Sequence, residues 1–402
     1  MSKFILMFGK IPIVGLDITE NKLLVDKSYY INPSAYDRVT KAIGNFESML
    51  LDRIVFPSRK VLIDMLHNAN IYTLEQYAKS LYCIAITDAF WVKQKDSKAT
   101  WEIINAFSNC MTTTIAVAAL NDMNLARLVA MGNAHILTTP SPQYTLAGSA
   151  DKCVRRTANG LYLYKSCGEM SSERYFSRPY SEWLVTKVYE KLNIPERYYV
   201  KYTYKEEKLK NGYYKPYSVC PVFTDINTSL IEYADTVYNK YELWDFKKLL
   251  LNKWGKDEAD KLSAMLVVDS LTLNIDRHSH NYGLLIDNKS FTYKGMAQIY
   301  DNDCALGSTV SVSQSNGSFE EIYTRLKNQG GRAGYNSFDD QLLRNMSKPM
   351  YQKLKLVGKI DLTKELNKIQ GISQRRKDFI QYILDRRLAE AINLVETYLI
   401  RR

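Results

Sequence analysis

The spacing of hydrophobic and polar positions changes several times along this chain of 402 residues. Near the start, Phe4–Met7, Ile11–Leu16 and Lys22–Val25 are short apolar runs separated by turn residues, and they predict three strands. The period then turns helical over Phe46–Val55 and Ser58–Leu66, on either side of Pro57, and again over Leu74–Tyr82 and Trp101–Ser108. At Thr138-Thr139-Pro140-Ser141-Pro142 the prolines disfavour helix and mark a linker or loop entrance. Two hairpins follow from Asn-Gly dipeptides, which supply the positive-φ pair of a tight turn. One joins Cys153–Arg156 to Leu161–Lys165 around Asn159-Gly160, the other Val200–Tyr204 to Tyr213–Val222 around Asn211-Gly212. Between them, Trp183, Leu184, Val188 and Leu192 form the stripe of a helix over Tyr180–Leu192. Beyond Asp225 the pattern is mostly helical, apart from strands around Leu284-Leu285-Ile286 and Ile299-Tyr300. Near the C-terminus, Phe379, Ile380, Tyr382, Ile383, Leu384 and Leu388 interleave with Arg375, Arg376, Lys377, Arg386 and Arg387, predicting an amphipathic helix with a solvated basic face.

These changes of period predict three parts: an N-terminal α+β domain over 1–135 with no assigned role, a second part over 136–223, and a helical part over 224–402. Composition alters the picture little. A hydrophobic share of 46% and a charged share of 24% are those of a globular chain, which excludes disorder. The longest apolar run, Thr114–Leu120, is far short of the roughly 18 to 20 residues that span a bilayer, and the first ten residues lack a signal peptide's apolar core. A cytoplasmic protein with no membrane partner is expected. Six cysteines, Cys83, Cys110, Cys153, Cys167, Cys220 and Cys304, form no C-x-x-C pair, so zinc sites and a disulfide framework are disfavoured and buried thiols are expected. A net charge of +11 attracts any polyanion, including nucleotides and acidic proteins, and does not single out direct nucleic-acid binding.

The candidate chemistry lies in Asn274-Ile275-Asp276-Arg277-His278-Ser279-His280-Asn281-Tyr282-Gly283 and in Ile299-Tyr300-Asp301-Asn302-Asp303. An Asp, an Asn five residues on, a strand, and a second Asp closing another apolar run form the catalytic and metal half of a phosphoryl-transfer site. Asp276 would orient or deprotonate an acceptor hydroxyl, while Asn281 and Asp301 would hold Mg2+, a hard ion that takes one or two protein oxygens. Asp303 is a second candidate ligand. Taken alone, D-x-x-x-x-N is a common loop pattern. Its company is not: His278 and His280 are two of only four histidines, and upstream stand a small-residue turn, a hairpin strand ending in Lys165, and Glu182 in the next helix. That order is the one in which a two-lobed kinase places its phosphate loop, its phosphate-positioning lysine and the glutamate that pairs with the lysine. Lys165 as a surface strand residue and Glu182 as a helix first-turn carboxylate are the ordinary alternatives.

On these residues the chain resembles the HipA-like serine/threonine kinases, with a HipA-type catalytic domain behind a divergent N-terminal region. The resemblance runs over roughly Tyr144 to Gly307. Thr145-Leu146-Ala147-Gly148-Ser149-Ala150-Asp151-Lys152 is similar to the family's phosphate loop, Tyr162–Lys165 to the strand bearing the ATP-binding lysine, Asp276–Asn281 to the catalytic loop, and Ile299–Asp301 to the strand ending in the metal-binding Asp. Ala150 stands where the family often has Gln. The resemblance implies a two-lobed, protein-kinase-like α+β fold with a mostly helical C-lobe, preceded by a separate α+β domain. It implies ATP and Mg2+ as cofactors, with ATP contacts from Thr145, Gly148, Ser149, Lys152, Lys165, Glu182 and His278, and adenine contacts from a hinge including Cys220 and Phe223. It further implies a protein substrate, autophosphorylation at Thr145 or Ser149, and a small helix-turn-helix antitoxin-like repressor as partner. Two other readings stay open. D-R-H-x-x-N also resembles the catalytic loop of phosphoinositide kinases, and the chain could be a non-catalytic nucleotide- or partner-binding module.

Overall fold

The computed structural model describes residues 3–44, 46–53, 59–109, 113–120, 139–146, 148, 150–167, 177–210, 212–312, 317–331 and 333–400. The chain is α+β and divides into two compact units, each assembled from three separate segments. The first comprises Met1–Lys165, Pro221–Lys240 and Gly283–Lys294; the second comprises Ser166–Cys220, Tyr241–Tyr282 and Gly295–Arg402.

In the first unit the three predicted strands form, and all run further than their patterns suggest: β1 Phe4–Phe8, β2 Ile11–Thr19 and β3 Lys22–Tyr30. A further strand, β4 Phe90–Gln94, completes an antiparallel sheet of order β3-β2-β1-β4. Helices Phe46–Leu51, Lys60–Asn68 and Leu74–Leu81 match their periodicity, the last closed by a reciprocal Thr73–Gln76 capping box. Val55, Pro57 and Ser58 lie outside the described residues. The helix expected over Trp101–Ser108 stops at Ile104. There Asn105 turns its amide back onto the Trp101 carbonyl at 2.8 Å and accepts the Ser108 N–H at 2.7 Å, so the side chain replaces the helical bonds.

The hairpin around Asn159-Gly160 forms as β5 Asp151–Thr157 and β6 Gly160–Ser166. The mostly helical pattern past Asp225 hides a strand. Thr228–Glu232 is β9, pairing antiparallel with β10 Gly283–Asp287, which adjoins β11 Thr292–Met296. Gly283 makes the pairing possible, because a Cβ there would fall 2.3 Å from the Ile231 carbonyl oxygen.

In the second unit β7 Thr203–Lys208 and β8 Tyr214–Pro221 form the second hairpin, with Thr203 opposite Val219 and Lys208 opposite Tyr214. Its turn residue Asn211 lies outside the described residues. The helix read over Tyr180–Leu192 spans Arg178–Lys191. At the centre is the helix Lys256–Thr272, buried continuously from Lys261 to Thr272, and the long helix Gln374–Ile400 closes the chain. The expected solvated basic face of that last helix needs correcting, since Arg376 and Arg387 are fully buried. Arg376 donates to the carbonyls of Gly307 and Val310, and Arg387 to the Ser270 carbonyl at 2.9 Å. The Ser270 carbonyl is among the last four of its helix and needs a donor from outside it, while the Gly307 carbonyl, which already accepts the Val310 N–H at 3.1 Å, gains a second donor, and both cations therefore point inward. Among the described cysteines, Cys83, Cys153, Cys167, Cys220 and Cys304 are free and buried, as expected; Cys110 lies outside the described residues.

Candidate active site

The Lys256–Thr272 helix leads straight into the Asp276–Asn281 loop. It ends at Leu273, a non-glycine residue at φ +51° that is fully buried among Val312, Ile322, Phe338 and Phe379. Left-handed backbone costs about 1 kcal/mol or more for such a residue, and burial of the leucine side chain offsets it. The N–H groups of Leu273 and Asn274 both bond to the Asp269 carbonyl, which turns the chain abruptly.

The loop is then folded by its own side chains. Asn281 Nδ2 donates to the Asp276 carbonyl at 2.7 Å, so Oδ1 is the atom of this side chain suited to a cation. The His278 and Asn281 N–H groups bond to the carbonyls of Asp276 and His278, each at 2.9 Å. The Asp276 carboxylate stays about one-third exposed. Beside it are His278 Nε2 at 4.0 Å and the Cys304 thiol, which donates at 3.8 Å. Burial, and next the charge of Asp303, push the Cys304 thiol far up, so it remains neutral and adds no negative charge against Asp276. His278 Nδ1 accepts the His280 N–H at 3.2 Å, which leaves the proton of the neutral ring on Nε2, the nitrogen facing Asp276.

One fully buried guanidinium ties this loop to the segment bearing Asp301. Arg277 donates through Nε and Nη2 to the Asp269 carboxylate at 2.8 and 3.1 Å, through Nη1 to the Asn281 and Tyr300 carbonyls at 2.7 and 2.6 Å, and through Nη2 to Asn302 Oδ1 at 2.6 Å. All five guanidinium protons are thereby used. Burial alone would lower its pKa, but the Asp269 carboxylate overrides that and raises it, so the guanidinium stays charged. Since one nitrogen bridges residues 281 and 300, the Asn281 and Asp301 segments run side by side. Asp301 has φ +59°, a left-handed conformation that Asp tolerates, and its N–H donates to the Tyr202 hydroxyl at 3.3 Å.

The helix Arg178–Lys191 supports the same segment. Fully buried Glu182 accepts the Asn302 N–H at 3.0 Å, and the Ser181 hydroxyl donates to the Ala305 carbonyl at 2.9 Å. Gly307 then passes against the last helix, where a Cβ would meet Phe379 at 2.8 Å. Of the residues expected from sequence, the second unit thus brings together Glu182, Asp276, His278, Asn281 and Asp301. Cys220 sits buried near the end of β8 in the same unit.

The remaining expected residues belong to the first unit. Lys165 is buried near the end of β6, and Phe223 is half-buried just after β8. The Thr145 hydroxyl donates to the carbonyls of Ile84 at 2.8 Å and Pro142 at 3.1 Å. Gly148 has φ +86°, a conformation that favours glycine, and a Cβ there would stand 3.0 Å from Lys152 Nζ. Ser149 lies outside the described residues. Sequence reading missed Asp269, Asn302 and Tyr202. For Asp269 there was a signal: a lone carboxylate inside Met265-Leu266-Val267-Val268-Asp269-Ser270-Leu271, a run otherwise suited to full burial, requires a partner.

No protein-family model and no curated protein matches this chain. Among solved structures, it is similar to a proinflammatory kinase of Helicobacter pylori, CtkA, over 64% of this chain and 93% of that one, with 20% identity and a TM-score of 0.48. It is also similar to HipA of Shewanella oneidensis MR-1, solved as a toxin–antitoxin complex with HipB and its operator DNA, over 98% of each chain, with 13% identity and a TM-score of 0.45.

Proposed function

We propose that this chain is an ATP- and Mg2+-dependent HipA-like kinase that transfers the γ-phosphate to a serine or threonine hydroxyl of a protein. The observation that carries this reading is the Arg277 junction, which holds the Asp276–Asn281 loop against the Asp301 segment. A buried cation saturated with acceptors fixes the backbone on both sides, so catalytic side chains start from set positions, which is the main protein contribution to phosphoryl transfer. The donor set fits magnesium, because Asn281 Oδ1 and the Asp301 carboxylate are hard oxygens and no soft ligand competes among these residues. When bound, the ion would neutralise charge on the phosphate oxygens.

The chain's own residues then have distinct tasks. Asp276 orients the acceptor hydroxyl and takes its proton as the oxygen bonds to the γ-phosphorus and the bond to the ADP oxygen breaks. Lys165 supplies positive charge to the phosphates. Thr145, if it is an acceptor, must first leave Ile84 and Pro142, because its hydroxyl is engaged there. A small helix-turn-helix repressor is the partner the family resemblance implies, and co-purification with one tests it.

The functional test is incubation with Mg2+ and γ-labelled ATP, wild type beside Asp276→Ala, with protein acceptors and, separately, phosphoinositide vesicles. Label on protein is expected from wild type, and about 10² to 10⁴ less from the variant. Label on the lipid alone would replace a protein acceptor with a lipid one. Absence of label together with no nucleotide-dependent thermal shift would reduce the chain to a binding module.

A further inference from the structure

A loop that binds phosphate does so with N–H groups aimed at the ligand, and its carbonyls must then face the other way and find donors of their own. In this protein the donor comes from the N-terminal region. Arg59 precedes the helix Lys60–Asn68 and caps it through its carbonyl, which accepts from Leu62 and Ile63. Its side chain is buried and turns instead to residues 143–152. Nη1 donates to the Gln143 carbonyl at 2.8 Å and to the Leu146 carbonyl at 3.1 Å, and Nη2 donates to the Lys152 carbonyl at 2.7 Å. One planar fork thus reaches carbonyls on both arms of the loop.

The neck of the loop is closed separately. Buried Gln143 exchanges two bonds with Val154, donating from Nε2 at 2.7 Å and accepting on Oε1 at 2.8 Å. The side-chain closure of the neck therefore does not involve Arg59, whose guanidinium bonds the Gln143 carbonyl there and reaches on to Leu146 and Lys152. Burial draws the guanidinium pKa down to about 10, partly countered by Asp151, which still leaves it charged at neutral pH.

We propose that Arg59 is a phosphate-loop positioning residue: it draws three loop carbonyls inward, which frees the loop to present N–H groups and a buried positive charge to the phosphates of a nucleotide. This rests on the kinase reading of the loop. It gives residues 1–135 a direct part in the site, through a residue about ninety positions from the loop it shapes. Because the fork geometry is the point, lysine is not an equivalent: it keeps the charge but reaches fewer carbonyls from a single nitrogen.

The test compares wild type, Arg59→Lys and Arg59→Met by titration with a fluorescent ATP analogue, ADP and adenosine in the presence of Mg2+, with a melting curve for each. If Arg59 positions the loop, Arg59→Met weakens ATP about tenfold or more, ADP less, and adenosine hardly at all, and Arg59→Lys falls between. Equal loss for adenosine and ATP, or no loss for either in a folded variant, overturns the proposal and leaves the kinase reading intact. Failure of wild type to bind ATP overturns that reading and this one with it. Should Arg59→Met not fold, Arg59→Lys carries the same comparison, since it retains the buried charge.

Discussion

At the scale of single residues, the side chain on which most depends is Arg277 rather than any of the three that would do chemistry. Its guanidinium is fully buried and bonded to Asp269, Asn302 and two loop carbonyls. Removing one partner of such a pair leaves the other charge without compensation in a low-dielectric setting. Arg277→Met should therefore destabilise the protein by about 3 to 5 kcal/mol in a denaturant melt. A change under about 0.5 kcal/mol would mean that the junction is not holding the two segments. Asp276, Asn281 and Asp301 stand out in the sequence for a chemical reason, because the hard-oxygen ligands and the base proposed for phosphoryl transfer can be supplied by few residue types. Arg277 and Asp269 form a contact whose two ends do not name each other in sequence, and only the burial of the Lys256–Thr272 helix shows why each needs the other.

At the scale of elements, the last helix meets its neighbours through a charged cluster. Arg387 bonds Asp339 at 2.8 Å and Glu390 at 3.0 Å, Lys327 bonds the same two carboxylates at 3.0 and 2.9 Å, and the Tyr323 hydroxyl donates to Glu390 at 2.6 Å. This joins the helices Phe319–Gln329, Phe338–Asn345 and Gln374–Ile400. Burial pushes both carboxyls up, but the hydrogen bonds and charges of Arg387, Lys327 and Tyr323 win, and both end below their ordinary values of 3.8 and 4.5. A carboxyl with a depressed folded pKa stabilises fully above its ordinary value and loses that contribution as pH falls through the folded one. The melting temperature of Glu390→Gln should accordingly lie below wild type at pH 7, and the gap should narrow once pH drops below the ordinary value of 4.5. A gap that stays constant down to pH 3 would rule out the ionised cluster as its source. Amphipathic spacing revealed this helix, yet it assigned all its arginines to solvent. Periodicity reports which face is apolar, and a cation drawn inward by carbonyls at a helix end or in a turn leaves no trace in it. β9 was missed for a related reason, since Thr228–Glu232 is short and is a strand by virtue of its partner β10.

At the scale of the whole molecule, the question is whether residues 1–135 can be detached. The proline-rich stretch at Pro140 and Pro142 suggests a place to cut. Hydrogen bonds within the first unit argue against it. The Leu230 N–H donates to the Thr87 carbonyl at 2.7 Å, the Thr224 hydroxyl to Ile86 at 2.6 Å, the Gly44 N–H to Asp235 at 2.8 Å, and the Ala89 N–H to the Ser229 hydroxyl at 3.2 Å. A chain beginning at residue 136 would leave these groups of the Pro221–Lys240 segment without partners, together with the apolar surface of Leu230 and Ile231 that is now buried. It would also lose Arg59. Such a chain is expected to give no cooperative melt and no ATP-dependent thermal shift, while the full chain gives both. If the shortened chain instead melts cooperatively and binds ATP as tightly as the full one, residues 1–135 are an appendage and the phosphate loop shapes itself. No pattern in the sequence separates these outcomes, because segments that meet after more than a hundred intervening residues share no common period, and the bonds between them appear only once the chain is folded.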